Sequence, residues 1–283
     1  MHDNQLNRKY GTILDMTNMV VSIIMGVYNC KDKAKLKKSV ESIQNQTYQN
    51  WELVICNDGS TDDTPKTLEK IKQLDSRIKI VSYEKNHGLA YALNYALRNS
   101  KGEYIARQDD DDYSEKTRIE KEVNFLDNNP QYAMVGTAAI VYDDDGIWGD
   151  YPVEEKPTRK TFLWNNPFIH PVMMMRKEAL EAVQGYRIAK ETRRCEDYDL
   201  FMRMYAKGYL GYNLQEKLYR YYKENNRQTK YRPMKSRLEE AKVRLIGYRK
   251  MHILMPGIFF VFKPIIIGLI PQKFFRKIEK TQY

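Results

Sequence analysis

The stretch VVSIIMGVY, residues 20–28, is apolar on both of its alternating faces and runs into a polar Asn29. A strand buried on both sides belongs in a parallel sheet covered by helices. The sequence downstream keeps to that plan. Leu36, Val40 and Ile43 recur at helical spacing, and WELVICN (51–57) reads as a second strand. A Ser-Thr-Asp turn leads into a helix over 64–74. IKIVSY (78–83) is a third strand, and Leu89, Leu93 and Ala96 mark the next helix. EYIARQ (103–108) is a fourth strand that ends in Asp109-Asp110-Asp111-Asp112, before a helical stripe at Ile119, Val123 and Leu126 and a strand over 132–142. Strict alternation over 120 residues predicts an α/β fold with a mostly parallel sheet flanked by helices. Beyond residue 150, PVMMMR (171–176) reads as a strand, EALEAV as a short helix, and 197–207 as a longer helix with Leu200, Met204 and Tyr205 inward.

The 283 residues carry 47 Lys and Arg against 37 Asp and Glu, a net charge of +10. The excess is not spread evenly: residues 1–214 sum to −2 and residues 215–283 to +12. Three cysteines, Cys30, Cys56 and Cys195, show no paired spacing, which argues against a disulfide framework or a zinc knuckle. Residues 1–19 lack the apolar run of a signal peptide, so a cytosolic setting is expected, with Met16 or Met19 as alternative starts.

Ligands of open α/β sheets bind beyond the carboxyl ends of the strands. Here those ends are Tyr28-Asn29, Asn57-Asp58-Gly59-Ser60 and the run Asp109–Asp112. Neither GxGxxG after the first strand nor GxxxxGK[ST] occurs, so a nucleotide would be held by side chains and a metal. Four adjacent carboxylates raise one another's pKa unless a cation neutralises them. Oxygen donors without His or Cys suit Mg²⁺ or Mn²⁺. A second run, Asp143-Asp144-Asp145-Gly146, lies between strand-like segments and ends in Asp-Gly, which predicts only a hairpin turn.

VSIIMGVYN, QTYQNWELVICNDGSTDDT, NHGLAYALNYAL and KGEYIARQDDDD, followed by FIHPVMMMRKEAL and CEDYDLFMR, closely resemble the motif blocks of family 2 glycosyltransferases. The resemblance spans residues 20–222, and among that family it is closest to bacterial enzymes building capsule, exopolysaccharide or O-antigen units. It implies a GT-A fold, Rossmann-like, with a nucleotide-binding half over 20–112 and an acceptor half over 113–222. It further implies an inverting, metal-dependent transfer from a nucleotide sugar, with UDP favoured, to a hydroxyl of a lipid-linked saccharide.

Residue by residue, the resemblance sets Tyr28 against the uracil ring and makes Asp58 the acceptor for uracil N3–H. Strand-end packing for Tyr28 and a helix N-cap or Asx-turn for Asp58 are the plainer alternatives. Asp111 and Asp109 become the metal pair, with Asp109 and Asp110 also near the nucleotide sugar and Asp112 in support. Asn86 and Arg107 are weaker nucleotide-sugar contacts. Asp197 becomes the general base, with Glu196 and His170 toward the acceptor. A structural role for His170 and helix-capping roles for Glu196 and Asp197 stay open. The family often has Asp-Asp-Gly-Ser where this chain has Asn57-Asp58-Gly59-Ser60. The Q-x-x-R-W motif of processive synthases is missing, since no Trp follows Trp164, and transfer of one sugar per encounter is expected.

Two other classes compete. A nucleotidyltransferase would need a basic, glycine-rich loop near the first strand. A nucleic-acid binder would interleave aromatics through its basic residues, whereas here they sit in an apolar run, so no nucleic acid is expected. That run, ILMPGIFFVFKPIIIGLIP (253–271), follows a basic helix over 234–250 with Leu238, Ala241, Leu245 and Tyr248 as its apolar stripe. Basic clusters bracket it. Residues 223–283 therefore read as a basic, apolar tail that lies on anionic lipid through 251–283, at the inner face of the cell membrane. Packing against the body or a dimer contact remain alternatives, so a homodimer is compatible. Three prolines disfavour a full span.

Overall fold

The computed structural model describes residues 20–224 and 232–269. The N-terminal extension, the end of the tail and its Lys273–Lys280 cluster lie outside the described residues. The opening stretch forms β1 (Val21–Val27), paired in parallel with β2 (Trp51–Asp58) on one side and β4 (Tyr104–Arg107) on the other. β3 (Ile78–Tyr83) joins β2, again in parallel. Helices α1 (Lys33–Gln44), α2 (Thr64–Lys72) and α3 (Leu89–Arg98) make the crossovers.

The two-sided burial of β1 follows the pleat. Val21, Ile23, Met25 and Val27 face a core shared with α1, α2 and α4 (Arg118–Asn128), and Ile24 faces the core under α3. Gly26 lies on the α3 side. A Cβ there would meet Leu89 Cδ1 at 3.1 Å, so glycine allows this helix its close approach to the sheet.

The parallel pattern stops after β4. Short β8 (Met174–Arg176) pairs antiparallel with β4 and with β6 (Tyr132–Asp143). β6 turns at Asp143–Gly146 into β7 (Gly146–Tyr151), and Gly146 takes the positive φ of 126° that the tight turn requires. The second acidic run is thus a hairpin turn. β6 also pairs in parallel with β9 (Leu210–Tyr222), a 13-residue strand without a sequence expectation, and β9 carries the two-residue β5 (Tyr113–Ser114) at the edge. Among the described residues the sheet holds nine strands, in the order β3-β2-β1-β4-β8-β6-β9-β5 with β7 beside β6.

α5 (Lys177–Ala182) and α6 (Glu196–Ala206) cover the second half, and Leu200, Met204 and Tyr205 of α6 are buried as their spacing predicts. The tail begins with α7 (Met234–Lys250), followed by α8 (Leu254–Val261) and α9 (Lys263–Leu269). Its inner face differs from the expected stripe. Ala241, Val243, Arg244, Gly247 and Tyr248 are buried, while Leu238 and Leu245 are exposed. The reason is Arg244: its guanidinium is paired with Glu240, Tyr248 and the Leu163 carbonyl, so an inward charge costs little and displaces leucine from the interface. Tyr248, Met251, Ile253 and Val261 share one core with α6, which makes the described tail continuous with the body.

Candidate functional site

β1 delivers Tyr28 to the carboxyl edge of the sheet, where its ring is 48% exposed. Asn29 follows with a left-handed φ of 45°, and its side-chain carbonyl accepts the Thr61 amide at 2.9 Å. That bond folds the turn after β2 against the end of β1. Asp58 is buried at the end of β2 and clamps the loop after β3. It accepts from Tyr83 Oη at 2.7 Å, Asn86 Nδ2 at 2.7 Å and the amides of His87 and Gly88 at 2.8 and 2.9 Å. These donors occupy the four acceptor directions of a carboxylate. Asp58 and Asn86 are brought together, and a contact from Asp58 to a base would exchange one of these bonds.

β4 runs into the acidic run. Carboxylate oxygens of Asp109, Asp111 and Asp112 lie within 4.8 Å of one another, and Asp110 stands outside this group. Asp110 is instead beside Cys30, and burial and Asp109 push it up to about 6. Burial, then Asp109 and Asp110, push Asp111 up to about 7. Burial, then Asp109 and Asp111, raise Asp112 well above the usual carboxylate range. Its Oδ1 accepts the Tyr222 amide at 2.6 Å, and its buried Oδ2 has no partner. An orphaned carboxylate oxygen in a crowded all-oxygen cluster fits a hard divalent cation.

Strand β9 braces the run, which the sequence reading missed. Tyr219 Oη accepts the Asp109 amide at 3.3 Å, and Tyr222 donates to Asp112. Lys35 lies over the Tyr222 ring at 3.6 Å and pairs with Asp144, so the hairpin turn is tied to the same corner. Behind the run, Arg107 is buried and pairs through Nη1 with Asp109. Its charge also acts on Glu196, Asp197 and His170.

Asp197 sits in the first turn of α6, where the helix dipole favours negative charge. Burial nevertheless raises its pKa, offset in part by the Tyr198 amide at 2.8 Å and by Asn166 Nδ2 at 2.8 Å. Burial and Asp197 raise Glu196 as well. Asn166 is a further miss; the Asn-Asn-Pro turn that holds it was the available signal. His170 is buried with Nε2 2.8 Å from Tyr186 Oη, and burial and Arg107 hold it well below the usual imidazole range. The contact with Tyr186 and the burial fit the structural alternative for His170. A cavity of about 600 Å³ is lined by Asp197 together with Arg194, Arg232, Glu240 and Arg244. A smaller cavity of about 160 Å³ adjoins it through Tyr151, Pro152, Asn165 and Asn166.

Known proteins share this architecture. The S. aureus TarS fragment 1–349, solved with UDP-GlcNAc, aligns with a TM-score of 0.68 at 19% identity, over 87% of this chain and 73% of that one. The Pyrobaculum calidifontis mannosyltransferase PcManGT, solved with GDP-Man and Mn²⁺, aligns with a TM-score of 0.58 at 15% identity, over 92% and 79%. In sequence, the chain is 37% identical to the Bacillus subtilis glycosyltransferase EpsE over 93% of its length and 94% of that protein's. It is 35% identical to the Escherichia coli O-antigen biosynthesis glycosyltransferase WbnJ over 68% and 72%. Over a shorter stretch, 38% of this chain and 41% of the relative, it is 46% identical to Escherichia coli WfaP, a UDP-Glc:alpha-D-GlcNAc-diphosphoundecaprenol beta-1,3-glucosyltransferase. The family model of glycosyl transferase family 2 matches residues 22–184, the segment that runs from β1 through the acidic run to the end of α5, and the chain belongs to that family of glycosyltransferases.

Proposed function

We propose that the chain is an inverting, metal-dependent and non-processive transferase that moves a sugar from a UDP-sugar to a hydroxyl of a lipid-linked saccharide during surface-polysaccharide assembly. The observation that carries this reading is the pairing of two sites through Arg107: a three-carboxylate cluster at the sheet edge and Asp197 at a cavity mouth. The UDP and diphosphoundecaprenol in the names of TarS and WfaP structures and relatives support the choice of donor and acceptor. The nucleotidyltransferase alternative falls with the family assignment.

In this reading Tyr28 stacks on uracil and Asp58 receives its N3–H, in exchange for one of the loop donors. Asp109, Asp111 and Asp112 would hold Mn²⁺ or Mg²⁺, which when bound supplies positive charge against the donor diphosphate. Asp197 takes the proton from the acceptor hydroxyl as its oxygen attacks C1. The C1–O bond to the diphosphate breaks on the opposite face, so the anomeric configuration inverts and UDP leaves. Asn166 keeps the carboxylate aimed. Arg107 draws Asp109 toward the reacting centre and stabilises charge on both sides.

The described tail has no helix long and apolar enough to cross a membrane. Its exposed Met255, Phe259, Phe262, Ile266 and Leu269 instead suit peripheral docking on an anionic inner leaflet.

Donor hydrolysis tests the core of this reading without an acceptor. UDP-sugars incubated with Mn²⁺ or Mg²⁺ are expected to release UDP, with EDTA or Asp111→Asn abolishing release. Failure of every nucleotide sugar, or turnover indifferent to EDTA, would sink it.

A further inference from the structure

We propose that the cavity beside Asp197 is an anion subsite that receives a phosphate group of the acceptor, gripped by Arg194 and Arg232. The proposal rests on the reading of Asp197 as the base and deepens it by naming the acceptor's chemistry.

The walls of the roughly 600 Å³ space carry three guanidinium groups, those of Arg194, Arg232 and Arg244, and two carboxylates, Glu240 and Asp197. Glu240 is shared: Arg232 Nη1 donates to its Oε2 at 3.0 Å, and Arg244 Nε and Nη2 to its Oε1 at 3.1 and 3.0 Å. Three guanidinium groups against two carboxylates leave the lining with one positive charge in excess. Arg244 is spent on structure, since its remaining nitrogen reaches Tyr248 Oη and the Leu163 carbonyl. Arg194 is different. Arg194 is exposed and lines the cavity, and its guanidinium has no hydrogen-bond or ion-pair partner among the described residues.

The backbone at Arg194 adds a second observation. Its φ of 63° is left-handed, a conformation unfavourable for a non-glycine residue unless its surroundings impose it. Arg232 Nη2 donates to the Arg194 carbonyl at 3.2 Å and keeps the two arginines adjacent. A strained turn that sets an unpartnered guanidinium on a cationic wall, beside a second one, suits a planar fork on phosphate oxygens.

The anion is not the donor's diphosphate, because no residue of Asp109–Asp112, nor Tyr28 or Asp58, lines this space. It therefore belongs to the molecule whose hydroxyl meets Asp197. Two sources share that chemistry: a prenyl-type lipid diphosphate, and a phosphodiester of a soluble polyol or glycan chain.

The test uses the full chain in EDTA, which removes divalent cations from the carboxylate cluster, and titrates inorganic pyrophosphate and farnesyl diphosphate by calorimetry. Wild type is expected to bind both, and Arg194→Gln to lose at least tenfold in affinity, with Arg194→Lys in between. The melting temperature of Arg194→Gln checks its fold, since the side chain it replaces makes no bond in the described structure. Tighter binding of farnesyl diphosphate than of pyrophosphate assigns the lipid source, and equal binding assigns the soluble one. Wild type that ignores pyrophosphate at millimolar concentration, or Arg194→Gln that binds as wild type does, overturns the subsite. UDP titrated with Mn²⁺ in parallel separates the two readings: lost UDP binding with retained pyrophosphate binding removes the donor assignment and leaves the subsite standing.

Discussion

Asp197 is pulled in two directions, since burial favours its neutral form while Asn166 and the Tyr198 amide favour the carboxylate. Burial wins, so its pKa stands above the usual aspartate range. Only the carboxylate accepts a proton, hence turnover is lost as pH falls through that raised value and is retained above it. A kcat–pH profile should show an acid limb above the ordinary aspartate value of about 4. Asn166→Ala removes a donor to the charged form, so that limb should move to higher pH; an unmoved limb would deny Asn166 its positioning role. Asp197→Asn should lower kcat by roughly 10²–10⁴ while UDP affinity holds. Residue-scale reading of the sequence was uneven for physical reasons. The acidic run is contiguous and follows a buried strand, so it stood out. Asn166 and Tyr222 meet their partners only after the chain has folded back by 31 and 110 positions.

At the scale of elements, the helices were legible because each buries one stripe: Ile119, Val123 and Leu126 of α4 are buried as spaced. β9 was not, since bulges break its two-residue period. Thr137 of β6 pairs with Leu214, and Ala138, the next residue, with Lys217. α4 carries one feature that spacing cannot explain. Glu122 is fully buried 3.7 Å from Arg118, with neither carboxylate oxygen hydrogen-bonded, and burial pushes it up to about 8. Arg118 donates through Nη1 and Nη2 to the Pro171 and Arg107 carbonyls, while its Nε, 3.7 Å from Glu122, makes no hydrogen bond, so its charge offsets the burial of Glu122 only in part. Between the ordinary glutamate range and pH 8 the folded chain holds a proton that the unfolded chain has released. Stability from Glu122 is therefore full in acid and declines as pH rises to about 8. Glu122→Gln should abolish that slope. Its melting temperature is expected to exceed that of wild type at pH 9 and to match it near pH 5, and parallel curves for the two proteins would refute the assignment.

For the whole molecule, the net charge of +10 divides into a body near neutrality, which carries the acidic run at the sheet edge, and a strongly basic end. The inner faces of α7 and α8 close the core over α6, and Lys263, which sits in the apolar run, donates to the Trp164 carbonyl at 2.6 Å and to Asn165 instead of facing outward. The outer faces are another matter: Met255 and Phe259 are 86% and 81% exposed, with Arg249, Lys250 and His252 exposed nearby in sequence. Removing everything after residue 250 would strip Met251, Ile253 and Val261 from the core, so lost binding in such a truncation would report unfolding as readily as lost docking. The discriminating change is Met255→Gln with Phe259→Gln, which spares the inner face. Burying a phenylalanine side chain is worth about 1.5–3 kcal/mol, so each large side chain that enters a lipid interface contributes roughly tenfold or more in binding. The double variant should keep its melting temperature and its UDP-sugar hydrolysis. Its sedimentation with phosphatidylglycerol vesicles at moderate salt should drop at least tenfold, whereas binding to neutral phosphatidylcholine vesicles should be weak for both proteins. Unchanged sedimentation of the double variant would place the membrane contact elsewhere on the chain.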